Sequence, residues 1–156
     1  MDIFAAFATD STKEEDGVWI KIGAALNPQA PEAERVYPRL RIGRSGNKKH
    51  GRIVSKQYEA NKSILDAKDE TAEAVGERIT VDAMAKAVLL GWENLEFRDP
   101  SWKPGEPYRK IKLVDGWNYN DAVMLLSLKD FRAMVQKHSD NFENFRLVAE
   151  EADAGN

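Results

Sequence analysis

Val81-Asp82-Ala83-Met84-Ala85-Lys86-Ala87-Val88-Leu89-Leu90-Gly91-Trp92-Glu93-Asn94-Leu95 carries the strongest periodic signal in the chain. Val81, Met84, Ala85, Val88, Leu89, Trp92 and Leu95 recur at three- and four-residue steps, the spacing of one apolar stripe on a helix. Read this way, the stretch closes a helical region that begins near Asp69, with Gly76 as a weak point and acids at the front, where a helix dipole favours them. Arg98, Asp99 and Pro100 mark its end. The stripe offers methyl groups and one indole and no reactive group, so it reads as a surface for packing or docking.

Upstream, Val18-Trp19-Ile20-Lys21-Ile22 is rich in branched and aromatic residues, and Tyr37-Pro38-Arg39-Leu40-Arg41-Ile42 alternates apolar with basic ones. These read as an antiparallel pair of strands, with Pro38 at a strand start or an edge because it has no amide proton to donate. Gly43 to Gly46 forms a turn requiring positive φ, and Asn47 caps a basic helix with apolar positions at Val54, Tyr58 and Leu65. Downstream, Pro100 to Gly116 has the composition of a loop around one strand, Lys110 to Val114. Asn120 is expected to cap a helix stapled by Tyr119 and Met124, and Ser127 with Asp130 to cap a longer one through Phe131, Met134, Val135, His138, Phe142 and Phe145. The expected fold is mainly α with a small N-terminal β element: about four or five helices plus a short antiparallel hairpin. Residues 1–16 read as an N-terminal anchor and loop, 17–149 as a single domain, and 150–156 as a frayed tail.

The chain has 156 residues, enough for an unaided core, and no cysteine, which excludes disulfides, thiolate metal sites and thiol nucleophiles. The opening residues lack the basic flank and long apolar run of a signal peptide, and no run is long enough for a bilayer span. Net charge is −3, but the charges are sorted: Arg35 to Arg52 holds seven Lys or Arg and no acid, whereas Asp66 to Glu77 holds five acids and one Lys. Tyr37 is the only ring within the basic segment, which argues against single-stranded nucleic acid as its partner.

Motifs for catalysis are weak. Gly43-Arg44-Ser45-Gly46 misses the Gly-x-Ser-x-Gly spacing because Asn47 stands where the second glycine belongs, and it lacks the Lys-Ser or Lys-Thr of a phosphate loop. His50 and His138 lie far apart and outside any metal-binding spacing. Paired acids such as Glu14-Glu15 and Asp69-Glu70 have no apolar surroundings to tune them. No enzyme activity, metal or cofactor is expected. Aromatic residues are the stronger signal: Trp19, Trp92, Trp102, Trp117, Phe142 and Phe145 suit a core, while Trp102, in the Pro-rich loop, and Phe4 and Phe7, near the N-terminus, are candidate partner contacts.

Several segments resemble the tail assembly chaperones of long-tailed bacteriophages. Leu40-Arg41-Ile42-Gly43-Arg44-Ser45-Gly46-Asn47 is similar to that family's arginine-x-x-arginine-x-glycine-asparagine segment. Phe7-Ala8-Thr9-Asp10 with Glu15-Asp16-Gly17-Val18-Trp19 resembles its N-terminal signature, and Val88 to Leu95 its tryptophan-bearing helix end. Tyr119-Asn120-Asp121-Ala122 resembles a helix start of the family, and Asn141-Phe142-Glu143-Asn144-Phe145 its closing motif. Asn120 in place of the usual serine and the long loop from Pro100 to Gly116 are departures. The resemblance implies a non-enzymatic helper in the bacterial host cytoplasm, absent from the finished virion. Such a helper coats the tape-measure protein and recruits tail-tube subunits, with self-association left open and no membrane partner. The contacts it implies, with the basic and aromatic reading above, are Phe4, Phe7, Arg41, Arg44, Asn47, Lys48, Trp102, Phe142 and Phe145. The alternatives are a tail-completion or connector protein retained in the virion, and a small nucleic-acid-binding regulator using Arg35 to Arg52.

Overall fold

Two antiparallel sheets and seven α-helices make up the computed structural model, which describes residues 1–147; the tail expected at 150–156 lies outside the described residues. In chain order the elements are α1 (Ile3–Phe7), α2 (Ser11–Asp16), β1 (Val18–Lys21), β2 (Arg39–Ile42), α3 (Lys48–Ala60) and α4 (Lys62–Asp66). They continue with α5 (Glu70–Ala87), β3 (Leu89–Glu93), β4 (Glu96–Arg98), β5 (Lys110–Lys112), α6 (Tyr119–Leu126) and α7 (Lys129–Asp140). The class is α+β as expected, with more helices than the four or five expected and more sheet than a hairpin. Strands run β1-β2-β3 in one antiparallel sheet and β4-β5 in another.

The stretch from Val81 to Leu95 is not one helix. The helix ends at Ala87, Val88 leaves helical geometry, and β3 pairs antiparallel with β2. A β-bulge explains how a strand imitates helical spacing. Ile42 faces Leu89 while Arg41 faces Gly91, so Leu90 is an extra residue that shifts the alternation by one. Leu89 and Trp92, three apart, therefore both turn inward and are fully buried. Without the bulge, strict alternation would turn one of them out. Gly76 does not interrupt α5, which runs unbroken from Glu70 to Ala87.

The inner face of this sheet, Leu40, Ile42, Leu89 and Trp92, packs on Val81, Met84, Ala85 and Val88 of the α5 end and on Leu125, Leu126 and Val135 of α6 and α7. The buried indole of Trp92 keeps its polar edge satisfied, its Nε1–H donating to the Val114 carbonyl at 3.0 Å.

The turn from β2 to α3 is the polar junction of the molecule. The Gly43 amide donates to the Val88 carbonyl at 2.8 Å, and a Cβ on Gly43 would lie 2.9 Å from the Ala87 carbonyl oxygen, so no side chain fits there. Gly46 has φ +81°, as the sequence predicts for this turn. Asn47, only 5% exposed, accepts from the His50 amide and so caps α3, while its Nδ2 donates to the carbonyls of Arg44 (2.8 Å), Ala87 (3.0 Å) and Glu14 (3.4 Å). The Arg44 amide reaches the Glu14 carbonyl, and the buried Ser139 hydroxyl donates to the Gly43 carbonyl. α2, α5 and α7 thus meet at five residues of turn.

Residues 1–16 are built into the rest of the chain rather than set apart as anchor and loop. Asp2 and Asp10 cap the short helices α1 and α2. Asp10 N–H then donates to the Phe145 carbonyl, Leu147 N–H to the Ala8 carbonyl, and Lys13 Nζ to the Arg146 carbonyl. Other differences are local. Asn118, not Asn120, caps α6 by accepting from Asp121 N–H. Ser127 does not cap α7; its hydroxyl turns back to the Val123 carbonyl, and Leu128 holds the cap position without a side-chain bond. β4 replaces the helix end expected at Arg98 to Pro100, because Glu96 to Arg98 pair with Lys110 to Lys112.

Asn47→Ala should lower the free energy of unfolding by about 2–4 kcal/mol, since it removes a cap and leaves interior carbonyls without a donor. Asn47→Asp keeps the cap acceptor yet aims an oxygen at those carbonyls, so urea denaturation should find it no more stable than the alanine variant. An aspartate variant as stable as the parent would contradict the junction's donor role.

Candidate functional site

Where the N-terminal helices meet residues 142–147, Ile3, Phe4 and Phe7 lie on α1 with Phe4 64% and Phe7 56% exposed. The Phe7 ring meets Phe142 at 5.9 Å between centroids, and exposed Leu147 leaves the same junction through its bond to Ala8. Three of the five α1 residues are large and apolar, and that helix has no buried residue. Large apolar side chains grouped at a surface mark a contact region more often than singly scattered ones do.

A second surface lies along α3. Lys49, Arg52, Ile53 and Lys56 fall at successive three- and four-residue steps, one face of the helix, and with Glu15 and Asp16 of α2 they line a hollow of about 610 Å³. An adjoining hollow of about 300 Å³ shares Glu15, Asp16 and Lys49 and continues to Arg41, Leu90 and Trp117. Trp117 is 45% exposed but fixed, its Nε1–H shared between the Leu89 carbonyl at 2.9 Å and the Ala85 carbonyl at 3.2 Å. Gly91 leaves the outer sheet face low: a Cβ there would come within 3.5 Å of both Trp19 and Arg41. Trp19 lies beside it, with the Arg39 guanidinium 5.1 Å from its ring centre.

The third feature is a groove of about 430 Å³ between α3, α5 and α6, with Ala74, Val81 and Val123 as its apolar wall and Glu77, Arg78 and Asp82 among its polar residues. Asp82 accepts from Gln57 at 2.5 Å, from the Tyr119 hydroxyl, and from Lys86 Nζ. Burial alone would push the Asp82 carboxyl up, but the hydrogen bonds from Tyr119, Lys86 and Gln57 outweigh it and hold the group below the ordinary carboxylate range. The bond to Asp82 in turn pushes the Tyr119 hydroxyl above its ordinary value, with burial adding to it. An ionised carboxylate held by three donors fastens α3 and α6 to α5; its lone pairs are engaged rather than presented to a substrate. Among the described residues, no three or more His, Asp or Glu gather as a metal site.

The residues singled out from sequence separate into groups. Phe4 and Phe7 lie on α1, where Phe7 meets Phe142, and Arg41 lines the cationic hollow, while Lys48 is exposed at the first position of α3. Phe145 is fully buried and Asn47 nearly so, which makes both interior supports rather than contacts. Arg44 packs 5.9 Å from the Phe145 ring and approaches Glu14 at 4.0 Å. Trp102 is half-buried, not the exposed indole expected: it stacks edge-on with Tyr108, lies under Arg98, and donates to the Glu106 carbonyl, closing its own loop. Lys49 and Arg52 fall within the basic segment that the sequence marks out, Lys56 extends it by one helical turn, and Trp117, read as a core residue, comes to lie beside Arg41 with no signal for it in the sequence.

The folded-state Asp82 value lies below its unfolded one, so its stabilisation is complete above about pH 3.9 and is lost as pH falls through the lower folded value. Tyr119→Phe should cost about 0.5–1 kcal/mol at pH 7 at this partly exposed rim. Urea denaturation should show that deficit shrinking near pH 3. A deficit that is constant or grows in acid would refute the coupling. Comparison of the chain with protein-family models, with curated proteins and with solved structures finds no match.

Proposed function

We propose that the protein is a tail assembly chaperone of the long-tailed bacteriophage type. In this reading it is a non-enzymatic binding protein of the host cytoplasm that holds the tape-measure protein soluble, recruits tail-tube subunits, and is left out of the finished virion. The observation that carries the proposal is the exposed apolar surface of α1. Ile3, Phe4 and Phe7 stay more than half exposed beside a fully buried Phe145, so the molecule keeps a greasy face in water while filling its interior elsewhere. A client with long amphipathic helices needs both apolar anchors and complementary charge; α1 offers the first, and the cationic face of α3 offers the second.

The segments that resemble the family lie mostly at structural junctions: Gly43 to Asn47 at the polar turn, Trp92 in the core, and Phe145 under Arg44. They support a shared fold, and the contact surfaces lie beside them. Chemistry of the Asp82 cluster fits this reading, since its carboxylate joins helices together.

Co-expression with a fragment of the neighbouring tape-measure protein should move that fragment into the soluble fraction. The double variant Ile3→Ser/Phe4→Ser should lose this effect while its own stability changes by less than about 0.5 kcal/mol, as expected for the two most exposed apolar positions of α1. A fragment that pellets equally with and without the protein would refute the proposal.

A further inference from the structure

We propose that the paired hollows between α2, α3 and the outer face of the β1-β2-β3 sheet seat an acidic amphipathic segment of a partner protein. Its carboxylates would meet Arg41, Lys49, Arg52 and Lys56, and an apolar side chain would rest on Leu90 and Trp117. The assignment rests on the reading of the protein as a holder of another polypeptide, and it names the surface and the chemistry recognised.

Charge is the first reason. Arg41, Lys49, Arg52 and Lys56 make no ion pair among the described residues, whereas Arg39, Lys110 and Arg132 are each paired with a carboxylate. Glu15 and Asp16 line both hollows yet reach none of these four cations within ion-pair distance. The surface therefore holds an excess of uncompensated positive charge, although the whole chain carries −3. Lys49 to Lys56 covers two helical turns, roughly 10 Å, the repeat at which carboxylates recur on one face of a helix.

Apolar floor is the second reason. Ile53, Leu90 and Trp117 are placed among the cations, and the indole of Trp117 is held by two carbonyls, so an anchoring side chain would meet a surface already in position. The same pieces speak against nucleic acid. Trp117 is the one ring among the residues lining the two hollows, where single strands need successive stacking platforms, and Glu15 and Asp16 would face a phosphate at the shared centre. A protein segment can place a neutral or basic residue opposite them.

The test uses fluorescence anisotropy with three labelled probes. One is a peptide of about 20 residues, long enough for some helix in water, with glutamates and leucines at helical spacing. The second carries lysine in place of each glutamate, and the third is a thymidine oligonucleotide of similar length. The acidic peptide should bind, weaken as salt rises, and lose at least tenfold in affinity with Lys49→Glu/Arg52→Glu. It should be indifferent to Phe4→Ser. Circular dichroism of the variants checks that these exposed changes leave the fold intact.

Equal binding of the lysine peptide, tighter binding of the oligonucleotide, or an unchanged affinity in the double variant would each overturn the assignment. So would the absence of acidic-peptide binding. If the tape-measure fragment is still kept soluble in that case, the surface is wrong and the proposed function stands. If the peptide binds as expected but no fragment is rescued, the proposed function falls and the acidic-segment site stands.

Discussion

The carbonyl of Ala87, at the point where α5 gives way to β3, is the constraint on which the rest of the structure depends. A helix cannot end inside a protein without partners for its last carbonyls. Here two of the partners come from one turn, the Asn47 side chain taking Ala87 and the Gly43 amide taking Val88, while the Trp117 indole reaches Ala85. Meeting that demand brings β2 alongside β3, starts α3 at Asn47, and draws α2 and α7 in through Glu14 and Ser139. A carbon on Gly43 would collide with the carbonyl being satisfied, so glycine is required there by contact.

The exposed surfaces described above are consequences of that junction. Because α3 leaves it with Lys49, Arg52 and Lys56 on one side, the cationic face is set beside the outer face of the sheet, where Arg41 points. Because α2 is tied to the turn at Glu14 and to Phe145 through Asp10, the N-terminal helices are held against residues 145–147 and α1 is carried at the surface with its phenylalanines exposed. The interior spends its best apolar residues on fixing these positions. Trp92 locks the β3 bulge, and Asp82 fastens α3 and α6 to α5.

How much of this could be read from the sequence varied with the range of the interaction responsible. Asn47 as a cap, the turn glycine at Gly46 and the pairing of the first two strands were legible, because each is set by residues close in sequence or by a plain alternation. The change from helix to strand after Ala87 was not, because a bulge at Leu90 reproduces helical spacing and is imposed by pairing with β2, far away in the chain. α1 and α2 were missed as helices because each is a turn or two long, α1 too short for its apolar residues to set a period and α2 wholly polar, and the signal lay in the caps Asp2 and Asp10. The exposure of Phe4 and Phe7 was legible; the burial of Phe145 and the loop-closing role of Trp102 were not, since both follow from packing partners such as Arg44 and Tyr108.

Amide hydrogen exchange read residue by residue tests the central claim most directly. Gly43, Arg44 and Ser45 lie in a turn, where amides ordinarily exchange fast, yet their N–H groups donate to Val88, Glu14 and Ser139 at the meeting point of four elements. They should exchange as slowly as the amide of Trp92 in the core strand, opening only with global unfolding. Exchange at the pace of the exposed loop around Gly105 would show that the junction is an ordinary surface turn and that the fold is held elsewhere.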